Sequence, residues 1–143
     1  MSATRPTTTR PTTTTAALDS TPPAAVWEIV IPNWRPAAFN ELRRAGIWGA
    51  ARLKKTDLDF VNLYCRLLGR VPEAQTLRRV TLIVTLPPKQ RQWDIDALQK
   101  STLDALVGSR MLRSDHGKWA QWGGVEYRRG AQLSTTIRLE DLP

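Results

Sequence analysis

Val80-Thr81-Leu82-Ile83-Val84-Thr85-Leu86, followed by Pro87-Pro88, is the stretch on which the fold turns. Apolar and β-branched residues fill both of its faces, which predicts a central strand with neighbours on either side. The two prolines end it, because neither has an N–H for a ladder. Upstream, Val26-Trp27-Glu28-Ile29-Val30-Ile31 predicts a first strand, stopped by Pro32 and Asn33. Downstream, two strands are expected over roughly 119–128 and 132–140, joined near Gly130. In the last of them Leu133, Thr135, Ile137 and Leu139 share one face, and Ser134, Thr136, Arg138 and Glu140 the other.

Helical spacing fills the intervals. Phe60, Val61, Tyr64, Leu67 and Leu68 recur on one face of a helix expected from Thr56 to Leu68, with Gly69 as its stop. A second helix is expected from about Ala97 to Val107, closed by Gly108. Residues 33–50 are ambiguous: Pro36 can open a short helix through Arg44, with Gly46 and Gly49 marking a loop. The expected fold is a single α/β (α+β) domain, a mixed β-sheet of about four strands packed with two to three helices. Residues 1–25, with nine Thr and four Pro, read as a disordered tail, leaving 26–143 as the folded domain.

The chain carries 21 Lys and Arg against 13 Asp and Glu, a net charge of +8. Such a field favours a polyanionic partner, nucleic acid ahead of an anionic membrane surface. The lone cysteine, Cys65, cannot close an internal disulfide; it lies beside an apolar helix face and reads as packing. No run approaches the roughly 20 apolar residues of a membrane span. The expectation is a soluble, cytoplasmic protein.

Against this basic background, Trp93-Asp94-Ile95-Asp96-Ala97-Leu98-Gln99-Lys100 gathers carboxylates where a strand gives way to a helix, with Asp104 and Asp115 to follow. The bland reading makes Asp96 an N-cap with Gln99 completing a capping box, and makes Asp96, Lys100 and Asp104 a surface ladder at four-residue steps. Thr56-Asp57-Leu58-Asp59 provides an internal comparison. There Thr56 reads as a cap, Asp59 as the third helical residue, and no further acid follows, so that pair is read as structural. The second pair differs because it follows a proline-ended strand and the basic, aromatic loop Lys89-Gln90-Arg91-Gln92-Trp93, and because Asp115 returns after the helix. Carboxylate oxygens near phosphate-binding cations suit a hard ion such as Mg²⁺.

Through Pro87-Pro88, Arg91, Asp94-Ile95-Asp96-Ala97, Lys100, Asp104-Ala105-Leu106 and Ser114-Asp115, the order of parts resembles the RusA-like family of Holliday-junction resolvases. Ile31-Pro32 with Pro36 and Asn40 faintly echoes the segment after that family's first strand. The resemblance is specific over residues 84–116 and extends more loosely over 26–140. It implies a RusA-like fold and Mg²⁺ (or Mn²⁺) held by Asp94, Asp96 and Asp115. It also implies a catalytic Lys100 alongside those aspartates, and a homodimer making paired cuts in four-way DNA junctions. Ala97 stands where the family commonly has Asn, and Ser114 replaces the first acid of an Asp-Asp pair.

Around this centre Lys89, Arg91, Arg113 and Lys118 are candidates for phosphate positioning. Asp104, four residues from Lys100, reads as the partner that aims the lysine rather than as a metal ligand. Trp93 can stack on an unpaired base or lie as a lid over the core. His116 is read as a turn residue and not as a ligand. The resulting expectation is a Mg²⁺-dependent endonuclease of DNA recombination or repair, with no small-molecule cofactor and no membrane partner. The alternatives are a non-catalytic DNA-binding protein on the same fold, or a metal nuclease for other branched DNA.

Overall fold

The computed structural model describes residues 25–69, 71–93 and 97–143, so the expected tail lies outside the described residues except for Ala25. Four strands form one mixed sheet: β1 (Val26–Pro32), β2 (Arg78–Leu86), β3 (Ala120–Arg129) and β4 (Ser134–Asp141). Two helices complete the domain, α1 (Phe39–Leu67) and α2 (Gln99–Gly108).

Sheet order is β1-β4-β2-β3. The run that promised a central strand is central: β2 pairs antiparallel with β4 and parallel with β3. A parallel pair cannot be closed by a tight turn, and here the crossover contains α2. β3 and β4 follow one another in sequence, yet β2 lies between them. At the β2–β3 seam the register shifts between Val80 and Leu82. Gly124 (φ 94) takes up the extra residue there, and a side chain on neighbouring Gly123 would collide with the Thr81 hydroxyl.

One face of the sheet is sealed. Val80, Leu82, Val84 and Leu86 of β2 join Ile29 and Ile31 of β1 and Ile137 and Leu139 of β4 in a single core. Val61 and Cys65 from α1, with Leu103 and Leu106 from α2, close it from the helical side. Thr135 also points inward, and its hydroxyl donates to the Trp34 carbonyl at 2.5 Å. The alternation read into the last strand therefore holds. On the opposite face Thr81, Ile83 and Thr85 are half-buried, since both helices pack on the first. That face carries polar cross-strand pairs instead: Arg79 meets Glu140 at 3.1 Å and Gln121 at 2.9 Å.

The helical layer departs from the sequence expectation. α1 starts at Phe39 and continues to Leu67, broken only at Gly46 (φ 73, ψ −178). Gly46 tolerates a positive φ that a side chain would resist. The short helix expected through Arg44 is thus present and ends in a kink at Gly46, but no loop extends to Gly49, because Ala50, Ala51, Arg52, Leu53, Lys54 and Lys55 are strong helix formers and the helix resumes at once. Thr56 is consequently no cap. It sits inside the helix and its hydroxyl donates to the Arg52 carbonyl at 3.0 Å. At the true start, the Ala38 N–H donates to Glu41 Oε1 at 2.7 Å. The Arg35 guanidinium bonds the same carboxylate and holds it below its ordinary pKa. No helix of the described residues is long and apolar enough to cross a membrane.

Asp57, read from sequence as part of a capping pattern, is buried at 4% exposure. Its Oδ1 accepts from Trp34 Nε1 and its Oδ2 from the Ala37 N–H, both at 3.1 Å. This carboxylate thus pins the segment after β1, which continues into Phe39, whose N–H donates to the Ala97 carbonyl at 2.8 Å. Burial pushes the Asp57 carboxyl up from 3.8 to about 6, although the two hydrogen bonds and nearby Arg35 pull it back. The folded state therefore binds this proton more tightly than the unfolded chain does. Its contribution is full below about pH 4, falls as pH rises through about 6, and is flat above. The difference is roughly 3 kcal/mol. Urea midpoints between pH 4.5 and 7.5 should show the decline in the wild type, and Asp57→Asn should remove it. Parallel pH profiles for the two proteins would refute the assignment.

Candidate functional site

Every residue of the predicted catalytic group lies in the crossover between β2 and β3. Asp94 and Asp96 fall outside the described residues. The rest can be placed. α2 begins after Leu98, whose side chain caps nothing. Leu98, Ser101, Thr102, Leu103, Ala105 and Leu106 are buried, leaving Lys100 and Asp104 toward solvent. The four-residue step brings Lys100 Nζ to 3.4 Å from Asp104 Oδ1. The other carboxylate oxygen lies 3.9 Å from Lys54 Nζ of α1. Asp104 therefore stands between two lysines. Exposed pairs of this kind add about 1 kcal/mol or less to stability, so their interest is positional.

After α2 the chain turns back on itself. The Leu106 carbonyl accepts from the Met111 and Leu112 N–H groups at 2.9 and 3.2 Å, and both side chains are buried. This reversal returns Arg113, Ser114 and Asp115 to the helix. They line a cleft of about 540 Å³ with Asp104, Ser101, Lys54 and Lys55. Asp115 is exposed and makes no ion pair among the described residues. The Ser101 hydroxyl, also on the cleft, is buried without a hydrogen-bond partner among the described residues. Lys54 and Lys55 had escaped the sequence reading. Their adjacency on a helix was visible, but nothing local says that this turn of α1 faces α2.

The remaining predicted residues fall into two groups. Near the trailing end of α2, Arg113 binds the Ala74 carbonyl and Gln75 Oε1, each at 3.3 Å. Its guanidinium lies 4.8 Å from the Trp119 ring, and Lys118 Nζ lies 5.5 Å from the same ring. Two cations are thus steadied on one indole without being neutralised. His116 is exposed in the intervening turn, its carbonyl accepting from Trp119 and Ala120.

At the leading end, Lys89 (φ 76) and Arg91 are exposed on the loop after β2. Arg129 from β3 braces that loop by donating to the Pro87 and Gln90 carbonyls at 3.0 and 2.6 Å. Tyr127 does the same for Trp93, its hydroxyl accepting from the backbone N–H at 3.2 Å and donating to the carbonyl at 2.9 Å. Trp93 is half-buried against the core, with the Arg35 guanidinium 4.3 Å from its ring. A base stacking on that face would have to share it with Arg35.

No group of three or more His, Cys, Asp or Glu able to hold a metal occurs among the described residues. The described cleft nevertheless presents two carboxylates, Asp104 and Asp115, and no thiolate or imidazole. Asp104 is held by Lys100 and Lys54, which leaves Asp115 as the cleft carboxylate open to a hard cation such as Mg²⁺, an ion that keeps several waters and accepts phosphate oxygens. No family model matches the chain, and no curated protein matches it. What fold and site define together is a two-layer α+β domain with a carboxylate-bearing cleft walled by cations.

Proposed function

We propose that the protein is a metal-dependent endonuclease of the RusA-like kind, resolving four-way DNA junctions by paired phosphodiester hydrolysis as a homodimer. One observation carries the reading: Asp104 and Asp115 share a cleft with Lys54, Lys55 and Arg113 in a chain of net charge +8. A surface that only bound phosphate would gain nothing from carboxylates placed among its cations, since like charges repel. Asp94, Asp96 and Asp115 would hold Mg²⁺ or Mn²⁺, which when bound activates water and offsets charge on the scissile phosphate. Lys100 presents positive charge to the leaving oxygen, and Asp104 sets its position. Arg113, Lys118, Lys89 and Arg91 hold the flanking phosphates, an attraction that salt weakens through counterion release.

The test is cleavage of a labelled synthetic four-way junction at one salt concentration, with and without Mg²⁺, beside a flap and a linear duplex. Paired symmetric nicks that need metal and favour the junction are expected. Preferred cleavage of the flap would move the assignment to another branched-DNA nuclease. Tight junction binding with no cleavage would overturn the catalytic reading, with Ala97 and Ser114 as the first positions to restore toward the family pattern.

A further inference from the structure

Ile47 and Trp48 are 84% and 82% exposed, the most open large apolar side chains among the described residues. They follow directly on the break at Gly46, at the first turn of the resumed helix. Trp48, Arg52 and Lys55, at steps of four and three residues, share one helical face and line a shallow groove of about 300 Å³ with Ala51. Lys55 also lines the cleft that holds Asp104 and Asp115, so groove and cleft are continuous. The stretch 43–55 contains Arg43, Arg44, Arg52, Lys54 and Lys55 and no acid. Lys54 and Lys55 face Asp104 and Asp59 at 3.9 and 3.1 Å, whereas Arg44 and Arg52 make no ion pair among the described residues. A bare indole set among cations is the combination that single-stranded nucleic acid uses, base on ring and phosphate on cation.

We propose that this ridge of α1 docks DNA and that Trp48 stacks on an unpaired base beside the cleft. The proposal rests on the reading that the protein's partner is DNA. Seven residues of helix separate Trp48 from Lys55, about 10 Å at 1.5 Å per residue. At roughly 3.4 Å per nucleotide this places the stacked base about three nucleotides from the cleft edge. Charge selects the occupant. A second copy of the chain packed two-fold on the same ridge would set these cations against themselves. An anionic bilayer would satisfy the cations but would press Asp104 and Asp115 of the adjoining cleft toward its own negative charge.

The experiment measures binding of the full chain in EDTA, where cleavage cannot interfere. The probes are a fluorescent oligonucleotide single strand, a four-way junction with an unpaired nucleotide at the crossover, and a blunt duplex. Trp48→Ala should weaken the first two by roughly 10-fold, with much less effect on the duplex, and Trp48→Phe should restore most of the loss. The salt slope should stay unchanged in Trp48→Ala but fall by about one in Arg52→Ala, which removes a phosphate contact. Equal losses on all three probes, or wild-type binding by Trp48→Ala, would overturn the proposal. So would a sedimentation change from dimer to monomer that accounts for the lost affinity, or a loss confined to anionic phosphatidylserine vesicles. Trp48-dependent binding without cleavage would leave this inference standing and remove the nuclease reading. Metal-dependent cleavage by a fully active Trp48→Ala would do the reverse.

Discussion

Replacing Arg78 with Met should lower the stability of the domain by about 3 kcal/mol, the low end of the range for breaking a buried ion pair from one side, because the Asp141 side chain left behind keeps 27% exposure. Arg78 opens β2 at 1% exposure, and its guanidinium is fully engaged. Nε meets Asp141 Oδ1 at 2.6 Å and one terminal nitrogen meets Oδ2 at 3.2 Å. The other terminal nitrogen donates to the carbonyls of Pro72 and Met111, each at 2.8 Å. The Trp27 ring lies 4.7 Å from the guanidinium carbon. One side chain thus ties together the ends of β1 and β4, the loop before β2 and the reversal after α2. Methionine fills much of the volume but strands Asp141 and two carbonyls.

The loss is a large share of the 5–15 kcal/mol that holds a domain of this size. The expected fall in melting temperature is roughly 10–20 °C, read by circular dichroism. Replacing both members, as Arg78→Met with Asp141→Leu, should recover part of it, because the stranded carboxylate goes too. A shift within the error of the melt for Arg78→Met alone would show that the pair adds nothing.

On the proposed nuclease reading, Asp115→Asn should lower metal-dependent junction nicking by about 100-fold or more, the scale on which single electrostatic groups act in such sites. The substitution keeps the shape and removes the charge, and Asp115 is exposed, so folding should be untouched. Binding measured in EDTA should stay equal or tighten, because an acid has been taken from a phosphate-facing surface. That split between rate and affinity separates a catalytic loss from a structural one. Lys100→Ala should lose a similar factor. Asp104→Asn should lose less, about 10-fold, and the double variant should be no worse than Lys100→Ala, since Asp104 acts through the lysine it holds at 3.4 Å. Wild-type nicking by Asp115→Asn would remove that residue from the site, and additive losses for the pair would free Asp104 from Lys100.

Local chemistry explains what could be read in advance. Seven consecutive apolar or β-branched residues before two prolines have few ways to fold, so β2 and its end were legible. The inward row of β4 was legible for the same reason, as alternation needs no knowledge of partners. The pairing of Lys100 with Asp104 follows from helix geometry alone. The first helical segment and its break at Gly46 were legible, but the immediate resumption of the helix was not, because Gly46 and Gly49 signal a loop equally well whether the helix resumes at once or at Thr56. The structural reading of the Asp57–Asp59 pair fits a buried Asp57, but the cap assigned to Thr56 does not form, and the partners of Asp57, Trp34 and Ala37, lie about twenty residues away and left no local sign.

By itself, then, the sequence determined which segments extend and which coil, and where carboxylates collect on a basic chain. Tertiary structure decided which of those segments meet. It placed β2 between β3 and β4, buried Arg78 against Asp141, and swung Lys54 and Lys55 toward Asp104 and Asp115. The division has one physical cause. Strand and helix formation depend on residues a few positions apart, whereas strand order and helix docking are settled by burying the largest shared apolar face. That choice leaves no mark within any single stretch of chain.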